Sequence, residues 1–151
     1  MEVIINDLED LKKYIKVSKT KKEIFLKFDD VTFNCSLPRK GTFNYFLEGS
    51  ISDYTVTIKG NKIVFNYYAE CDNVYANNVT VKDVLKCKLL NVIGQTSGGF
   101  VSTKIFIGQD VDVDRLVVKK IVCSQISATL LTIDEDEYPY IVASSINNVE
   151  A

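Results

Sequence analysis

The chain has 151 residues, of which 46% are hydrophobic and 25% are charged, so it can form one folded domain of ordinary composition. Seven glycines and two prolines are too few for long disordered linkers. The pI of about 5.2 argues against a nucleic-acid-binding protein. No apolar stretch reaches the roughly 18 residues of a membrane span, and the acidic N-terminus does not resemble a signal peptide. We therefore expect a cytoplasmic protein without membrane contact.

The residue types that are missing exclude most catalytic chemistry. The chain has no histidine, which removes the Ser-His-Asp and Cys-His nucleophile arrangements. The four cysteines are widely spaced and do not form a zinc motif, so we expect buried thiols that act as small apolar residues. No phosphate-binding glycine loop is present. The sequence predicts a protein that is not an enzyme and that holds neither a metal nor a cofactor.

Residues 1–68 are predicted to form an N-terminal cap of one helix and antiparallel β-strands. Asn6–Glu9 supply an N-cap and a capping-box glutamate, which predicts an amphipathic helix ending near Lys16. From Glu23 onward the apolar period is two, as in β-strands. The sequence Lys59-Gly60-Asn61-Lys62 predicts a β-hairpin, because Gly and Asn both tolerate a positive φ.

From residue 69 an apolar residue recurs every five positions. The first members of this run are Ala69, Val74, Val79, Val84 and Leu89. Two residues after each stand Cys71, Ala76, Val81, Lys86 and Asn91, so eight of these ten positions are apolar.

A second run begins at residue 111 in a new register. Its members are Val111, Leu116, Ile121, Ile126 and Leu131. The positions two residues later are Val113, Val118, Cys123, Ala128 and Ile133, and all ten are apolar. The pattern lapses across Ile93–Asp110, which contains Gly94 and the Gly98-Gly99 pair, and we expect this segment to be a flexible excursion.

A period of five fits neither a helix nor a plain strand, whose periods are 3.6 and 2. It fits a chain that turns a corner every five residues and places two positions inward on each side. Four such sides predict a coil of about twenty residues, and coils would stack roughly 4.8 Å apart. The predicted fold is therefore mainly β: a short β-solenoid over residues 69–135, an N-terminal amphipathic helix with β-hairpins, and a tail at 136–151. The alternative is a β-sandwich with coincidental spacing.

Both runs resemble the pentapeptide-repeat proteins. The stretches that carry the resemblance are Ala69-Glu-Cys-Asp-Asn-Val-Tyr-Ala-Asn-Asn-Val-Thr-Val and Val111-Asp-Val-Asp-Arg-Leu-Val-Val-Lys-Lys-Ile-Val-Cys-Ser-Gln-Ile-Ser-Ala. The resemblance implies a four-sided, right-handed β-helix. This sequence differs from the usual repeat, because here the large apolar residue precedes the small one. Some members of that family mimic duplex DNA through acidic faces, which here would be confined to residues 110–137.

Candidate partner-binding residues lie in the C-terminal half. Residues 105–151 carry three basic and eight acidic side chains, within a chain of net charge −2. An acidic surface suits a basic partner, and a loop on a rigid scaffold is a common binding site. The candidates are Asp110, Asp112, Asp114, Asp134, Glu135, Asp136 and Glu137, together with Gln95, Thr96 and Phe100. Asp110–Asp114 resemble the start of an EF-hand, but the positions that need Gly and Glu hold Arg115 and Ile121.

The function predicted from these features is that of a non-catalytic module that binds another protein. Frequent Lys, Asn, Ile and Tyr indicate an AT-rich genome. Such a genome is compatible with a bacterium or its phage. For a small stand-alone binder of that origin, our interpretation is an inhibitor of a bacterial host or defence protein, encoded by a phage or mobile element and acting in the host cytoplasm. The alternative is a structural subunit of a phage particle or filament that forms homo-oligomers through the solenoid ends. Nucleic acid is not an expected partner.

Overall fold

The computed structural model describes residues 2–38, 54–133, 140–142 and 145–148, and these form a β-solenoid of about 5 turns of mainly parallel strands. The one helix of this part of the chain is α1 (Leu8–Lys12). The first strands are β1 (Glu2–Ile5), β2 (Ile15–Ser18), β3 (Glu23–Lys27), β4 (Asp30–Phe33), β5 (Thr55–Phe65) and β6 (Ala69–Glu70). The later strands are β7 (Asn73–Val92), β8 (Gln95–Ile107), β9 (Asp110–Val122), β10 (Gln125–Ile133), β11 (Tyr140–Val142) and β12 (Ser145–Asn148).

Each central coil has three sides rather than four. Gln95 of β8 pairs with Asp110 of β9, and Asp110 pairs with Gln125 of β10, so these coils advance by 15 residues. Between β5 and β7 the advance is 16 residues, from Ile58 to Val74. The predicted coil of about twenty residues is therefore wrong. A five-residue period states the length of one side, whereas the number of sides depends on which residues meet when the coil closes.

The second apolar run builds the core as predicted over residues 111–128, whereas Leu131 is half-buried and the side chain of Ile133 lies outside the described part. Val111, Leu116, Ile121 and Ile126 are all at most 2% exposed, and they point into the solenoid. The same holds at the positions two residues later, where the buried side chains are Val113, Val118, Cys123 and Ala128. Because parallel pairing places each inward residue beside its counterpart on the next coil, these side chains form continuous apolar stacks.

The first apolar run is correct only up to Val81. A bulge between Val81 and Val84 adds one residue, and a shift of one residue reverses which side chains point inward. Leu85 and Leu90 are therefore fully buried, whereas the predicted Val84 and Leu89 are only half-buried. A period counted without the bulge places Lys86 and Asn91 at inward positions. In the structure Cys87 and Val92 occupy those positions instead.

The segment predicted to be an excursion is a regular coil. β8 runs through it and pairs along its length with β7 and β9. Its inward positions continue the five-residue period at Thr96, Val101 and Phe106. The apolar pattern lapses because small or polar residues, Thr96 and Thr103, are buried in this coil. A hydrophobic count misses such positions.

Parallel pairing also extends to the N-terminal side of residue 69. β5 pairs in parallel with β3, β4 and β7, so Lys59–Lys62 lies inside one continuous strand and the predicted hairpin there is wrong. Among the described residues, one antiparallel hairpin is present, between β2 and β3. How residues 1–68 and 69–135 divide into folding units stays a prediction.

The N-terminal helix is shorter than expected. Asp7 is its N-cap and accepts a hydrogen bond from the Asp10 backbone N–H at 2.9 Å. The helix ends at Lys12, and its one fully buried residue, Leu11, joins the core. The helix lies beside β1, the terminal strand of the described sheet order, so Leu11 packs into the core near that end of the solenoid.

Side-chain stacks link successive coils. The Phe33 and Phe65 rings are nearly parallel, at 7°, with centroids 5.3 Å apart. At one corner the Asn66 amide donates to Asn34, which donates to Asn6 at 3.2 Å. These contacts join side chains of residues at equivalent positions on successive coils, so they stabilise the same register as the backbone hydrogen bonds.

Candidate functional site

The three candidate carboxylates at the start of β9 share one exposed surface. Asp110, Asp112 and Asp114 are exposed, while Val111 and Val113 between them are at most 3% exposed. This alternation follows from the strand period of two. The carboxylates therefore lie outside the core in a row along one side of the solenoid.

The neighbouring strands flank this row with uncharged polar side chains. Asp110 lies between Gln95 of β8 and Gln125 of β10, and both glutamines are exposed. Asp112 lies between Ser97 and Ser127 on the same strands. We define the acidic face as Gln95, Asp110, Asp112, Asp114 and Gln125. The structure thus brings together four of the predicted site residues, Gln95 and the three aspartates.

The charges of the acidic face are not neutralised within the described part of the chain. None of its three carboxylates forms a salt bridge with a residue that the structure describes. Lys82 is the one basic side chain in the shallow depression that Asp112 and Asp114 help to line. Because the negative charge is exposed and has no salt bridge to a described residue, a basic group of another protein can approach it.

Two glycines form the floor of that depression. Gly98 has a φ of +129°, and a Cβ on it would overlap the carbonyl oxygen of Val81. A Cβ on Gly99 would lie 2.8 Å from the carbonyl oxygen of Asp83. The Gly98-Gly99 pair therefore serves close contact between two coils at the bulge, rather than flexibility.

The remaining candidates are placed differently. Thr96 is 1% exposed and its hydroxyl has no hydrogen-bond partner among the described residues, so its side chain lies beneath the acidic face. Phe100 is half-buried at a corner, where the Arg115 guanidinium lies 4.5 Å from the ring centroid. Asp134–Glu137 lie outside the described residues.

A second polar surface was not predicted from the sequence. A groove of about 290 Å³ is lined by Lys86, Lys88, Lys104 and Lys119, with Glu70 and Asp72 at one end. We call this surface the lysine groove. In the sequence these lysines are 15 or 16 residues apart or are near neighbours, so only the coil length brings them together. Knowledge of that length would have revealed the set.

Buried ionisable groups lie under the lysine groove. Asp72 is 4% exposed; its carboxylate accepts the Val56 N–H at 2.7 Å and lies 3.5 Å from the Lys88 ammonium. Burial raises the pKa of Cys87 to about 12, so this thiol is neutral and unreactive at neutral pH. No group of three or more metal-ligating side chains clusters in the part of the chain that the structure describes.

Comparison with known proteins finds no matching family model, no similar curated protein and no similar solved structure. Among the described residues, no helix is long and apolar enough to cross a membrane. The class of protein that the fold defines is a parallel-strand β-solenoid.

Proposed function

We propose that this protein is a non-catalytic module that binds another protein through the acidic face. The observation that carries the proposal is the row of three exposed carboxylates, Asp110, Asp112 and Asp114, without a salt bridge to any described residue. A single strand with this charge pattern sits in a continuous parallel sheet, so the spacing of the charges is rigid. The fitting partner is a protein surface that presents lysines or arginines.

The geometry of the face suits electrostatic recognition. Side chains two residues apart on a strand lie roughly 6.6 Å apart on one side, so the three carboxylates span roughly 13 Å. Unpaired charges of one sign speed the approach of an oppositely charged partner, and added salt weakens that effect. The flanking Gln95 and Gln125 supply hydrogen bonds without altering the charge.

A more specific form of the proposal is an inhibitor of a bacterial host or defence protein, encoded by a phage or mobile element. The residue usage of the chain supports this origin, and the acidic face supports a basic target site. A distant relationship to the pentapeptide-repeat proteins is also proposed. The five-residue side supports that relationship, whereas the three-sided coil argues against it.

The test compares two triple variants in affinity capture from lysate of the native source. The first replaces Asp110, Asp112 and Asp114 by Asn. The matched control neutralises three exposed carboxylates elsewhere, through Glu2→Gln, Glu23→Gln and Asp29→Asn. The captured protein is then purified, and its affinity for each variant is measured by calorimetry.

We expect the first variant to bind at least about tenfold more weakly and the control to bind as the unaltered protein does. The affinity of the unaltered protein should also fall as salt is added. Undiminished affinity of the Asp-to-Asn variant would remove the acidic face as the binding site. A charge reversal of Asp134–Glu137 tests the remaining acidic candidates in the same experiment.

A second candidate function is a subunit that assembles end to end. β1 and β12 are the terminal strands of the sheet order in the described chain, and each has one neighbour in that order. A terminal strand offers unpaired backbone groups to another strand. Light scattering over a concentration series distinguishes the two functions: large species that grow with concentration support assembly, and a constant monomer or dimer mass contradicts it.

A further inference from the structure

Three lysines stand in a column at one corner of the solenoid. Lys88 and Lys104 lie opposite each other, because the residues on either side of them pair: Cys87 with Thr103, and Leu89 with Ile105. Lys119 follows on the next coil, between partners of the same two β8 residues. Successive members are therefore one strand spacing apart, roughly 4.8 Å.

Such a column costs stability in the absence of a counter-charge, since like charges directly opposite each other in a sheet repel. Asp72 lies on the preceding coil and pairs with Lys88 at 3.5 Å. That carboxylate also accepts the Val56 N–H, so it is held at the Lys88 end of the column. Lys104, in the middle, is exposed and forms no salt bridge with any described residue.

The surroundings of the column form a concave surface. The lysine groove has a volume of about 290 Å³, and Lys86 and Ser102 add an ammonium and a hydroxyl to it. Glu70 also lines it, but its carboxylate accepts a hydrogen bond from the Tyr68 hydroxyl at 3.2 Å. The lysine ammoniums therefore share the groove with an apolar lining from Cys87, Val117 and Val118, and its two carboxylates lie at the end next to β6.

We propose that the lysine groove binds a compact anion that carries several phosphate groups. Lysine ammoniums act as mobile point charges and are common phosphate ligands. An anion with closely spaced charges would neutralise Lys86 and Lys104 together, since both are exposed and neither forms a salt bridge with a described residue. This site is on a different part of the solenoid from the acidic face, and it does not depend on the proposed protein partner.

The structure favours a compact phosphate over longer polyanions. The column is bounded by Asp72 on the preceding coil, so a nucleic acid running along the axis would meet a carboxylate. The net charge of −2 also disfavours a long polyanion. An extended acidic peptide places its same-side carboxylates roughly 6.6 Å apart, so it brings few charges to a column that is only two strand spacings long. A phosphate chain has denser charge.

The test is calorimetric titration of the full chain with inorganic tripolyphosphate at low salt. The test variant is Lys104→Gln, and the matched control is Lys59→Gln, an exposed lysine outside the groove. We expect one saturable site, at least about tenfold weaker binding by Lys104→Gln, and unchanged binding by Lys59→Gln. Absence of saturable binding, or equal weakening by both variants, would overturn the proposal.

Thermal unfolding checks that the effect is local. Without anion, we expect Lys104→Gln to unfold at the same or a higher temperature than the unaltered protein, because the middle charge of the column is removed. Tripolyphosphate should raise the unfolding temperature of the unaltered protein and of Lys59→Gln more than that of Lys104→Gln. An equal rise in all three proteins would count against the groove.

Competing ligands complete the experiment. Tighter binding of an eight-residue glutamate peptide or of a single-stranded oligonucleotide than of tripolyphosphate would refute the choice of a compact phosphate. A nucleoside triphosphate distinguishes the sources of the same chemistry. If it binds more tightly than tripolyphosphate the groove also contacts a nucleoside, and equal affinity assigns the site to the phosphate chain alone.

Discussion

Two adjacent leucines test the register of the solenoid directly. The sequence period places Leu89 inward, whereas the bulge after Val81 places Leu90 inward. Leu90 is fully buried and pairs with Phe106 of the next coil, while Leu89 is half-buried and pairs with Ile105. The substitutions Leu89→Ala and Leu90→Ala remove the same atoms from neighbouring positions, so each is the control for the other.

The two losses should differ severalfold in free energy of unfolding. Removal of a fully buried leucine costs about 3–5 kcal/mol, because the lost contacts and the remaining cavity add. Leu90 faces the large Phe106 ring, whose rigid shape limits collapse into the cavity, so we expect about 3–4 kcal/mol. For the half-buried Leu89 we expect about 1 kcal/mol, mostly from lost apolar burial.

Urea unfolding followed by circular dichroism measures both changes, and tyrosine fluorescence is a second probe because the chain contains eight tyrosines and no tryptophan. The comparison uses the denaturation midpoints with the slope of the transition monitored, since a solenoid can unfold in parts. At about 3 °C of melting temperature per kcal/mol, Leu90→Ala should melt roughly 10 °C lower. A Leu89→Ala variant that loses as much stability as Leu90→Ala, or more, would refute the shifted register.

Two further predictions concern Gly98 and Cys87. Gly98→Ala should lower the free energy of unfolding by at least about 1–2 kcal/mol, because Gly98 has a φ of +129° and a Cβ would overlap the Val81 carbonyl. The control, Ser97→Ala on the same strand, should change the stability little. Equal melting temperatures for the two variants would contradict the close contact. Burial raises the pKa of Cys87 from 9.0 to about 12. Between these two pH values the unfolded thiol has lost its proton and the folded thiol has not. The stability that the buried neutral thiol contributes therefore declines as the pH rises from about 9 to about 12. Relative to Cys87→Ala, the free energy of unfolding of the unaltered protein should fall by about 1.4 kcal/mol per pH unit above pH 9. Urea unfolding under reducing conditions measures this difference. Parallel pH profiles for the two proteins would count against burial of the thiol.

Local patterns in the sequence were reliable where the core is uniformly apolar. The run from Val111 to Ala128 gave the inward positions correctly, because every inward residue there is hydrophobic and every side has five residues. The predicted inward positions were wrong at Val84 and Leu89, where the bulge adds one residue. At Thr96 the five-residue period continues, but the buried residue is polar. A period count restarted after the bulge would find the buried Leu85 and Leu90, whereas it cannot find the buried Thr96, which leaves no apolar signal.

The candidate sites follow the same division. The sequence correctly predicted that Asp110, Asp112 and Asp114 point outward, since alternation along a strand is a local property. It could not place Gln95 beside Asp110, and it did not bring Lys88, Lys104 and Lys119 into one column. Those contacts join residues 15 or 16 positions apart, and they depend on the length of a complete coil.

The sequence by itself determined that the chain turns a corner every five residues and buries two side chains on each side, because apolar spacing records the conformation of each short segment. Only the tertiary structure decided that three sides close a coil, that residues 95–107 form one of the coils, and which charges lie together on its surfaces. The physical reason is that closure is set by pairing between distant strands, which a local period does not encode.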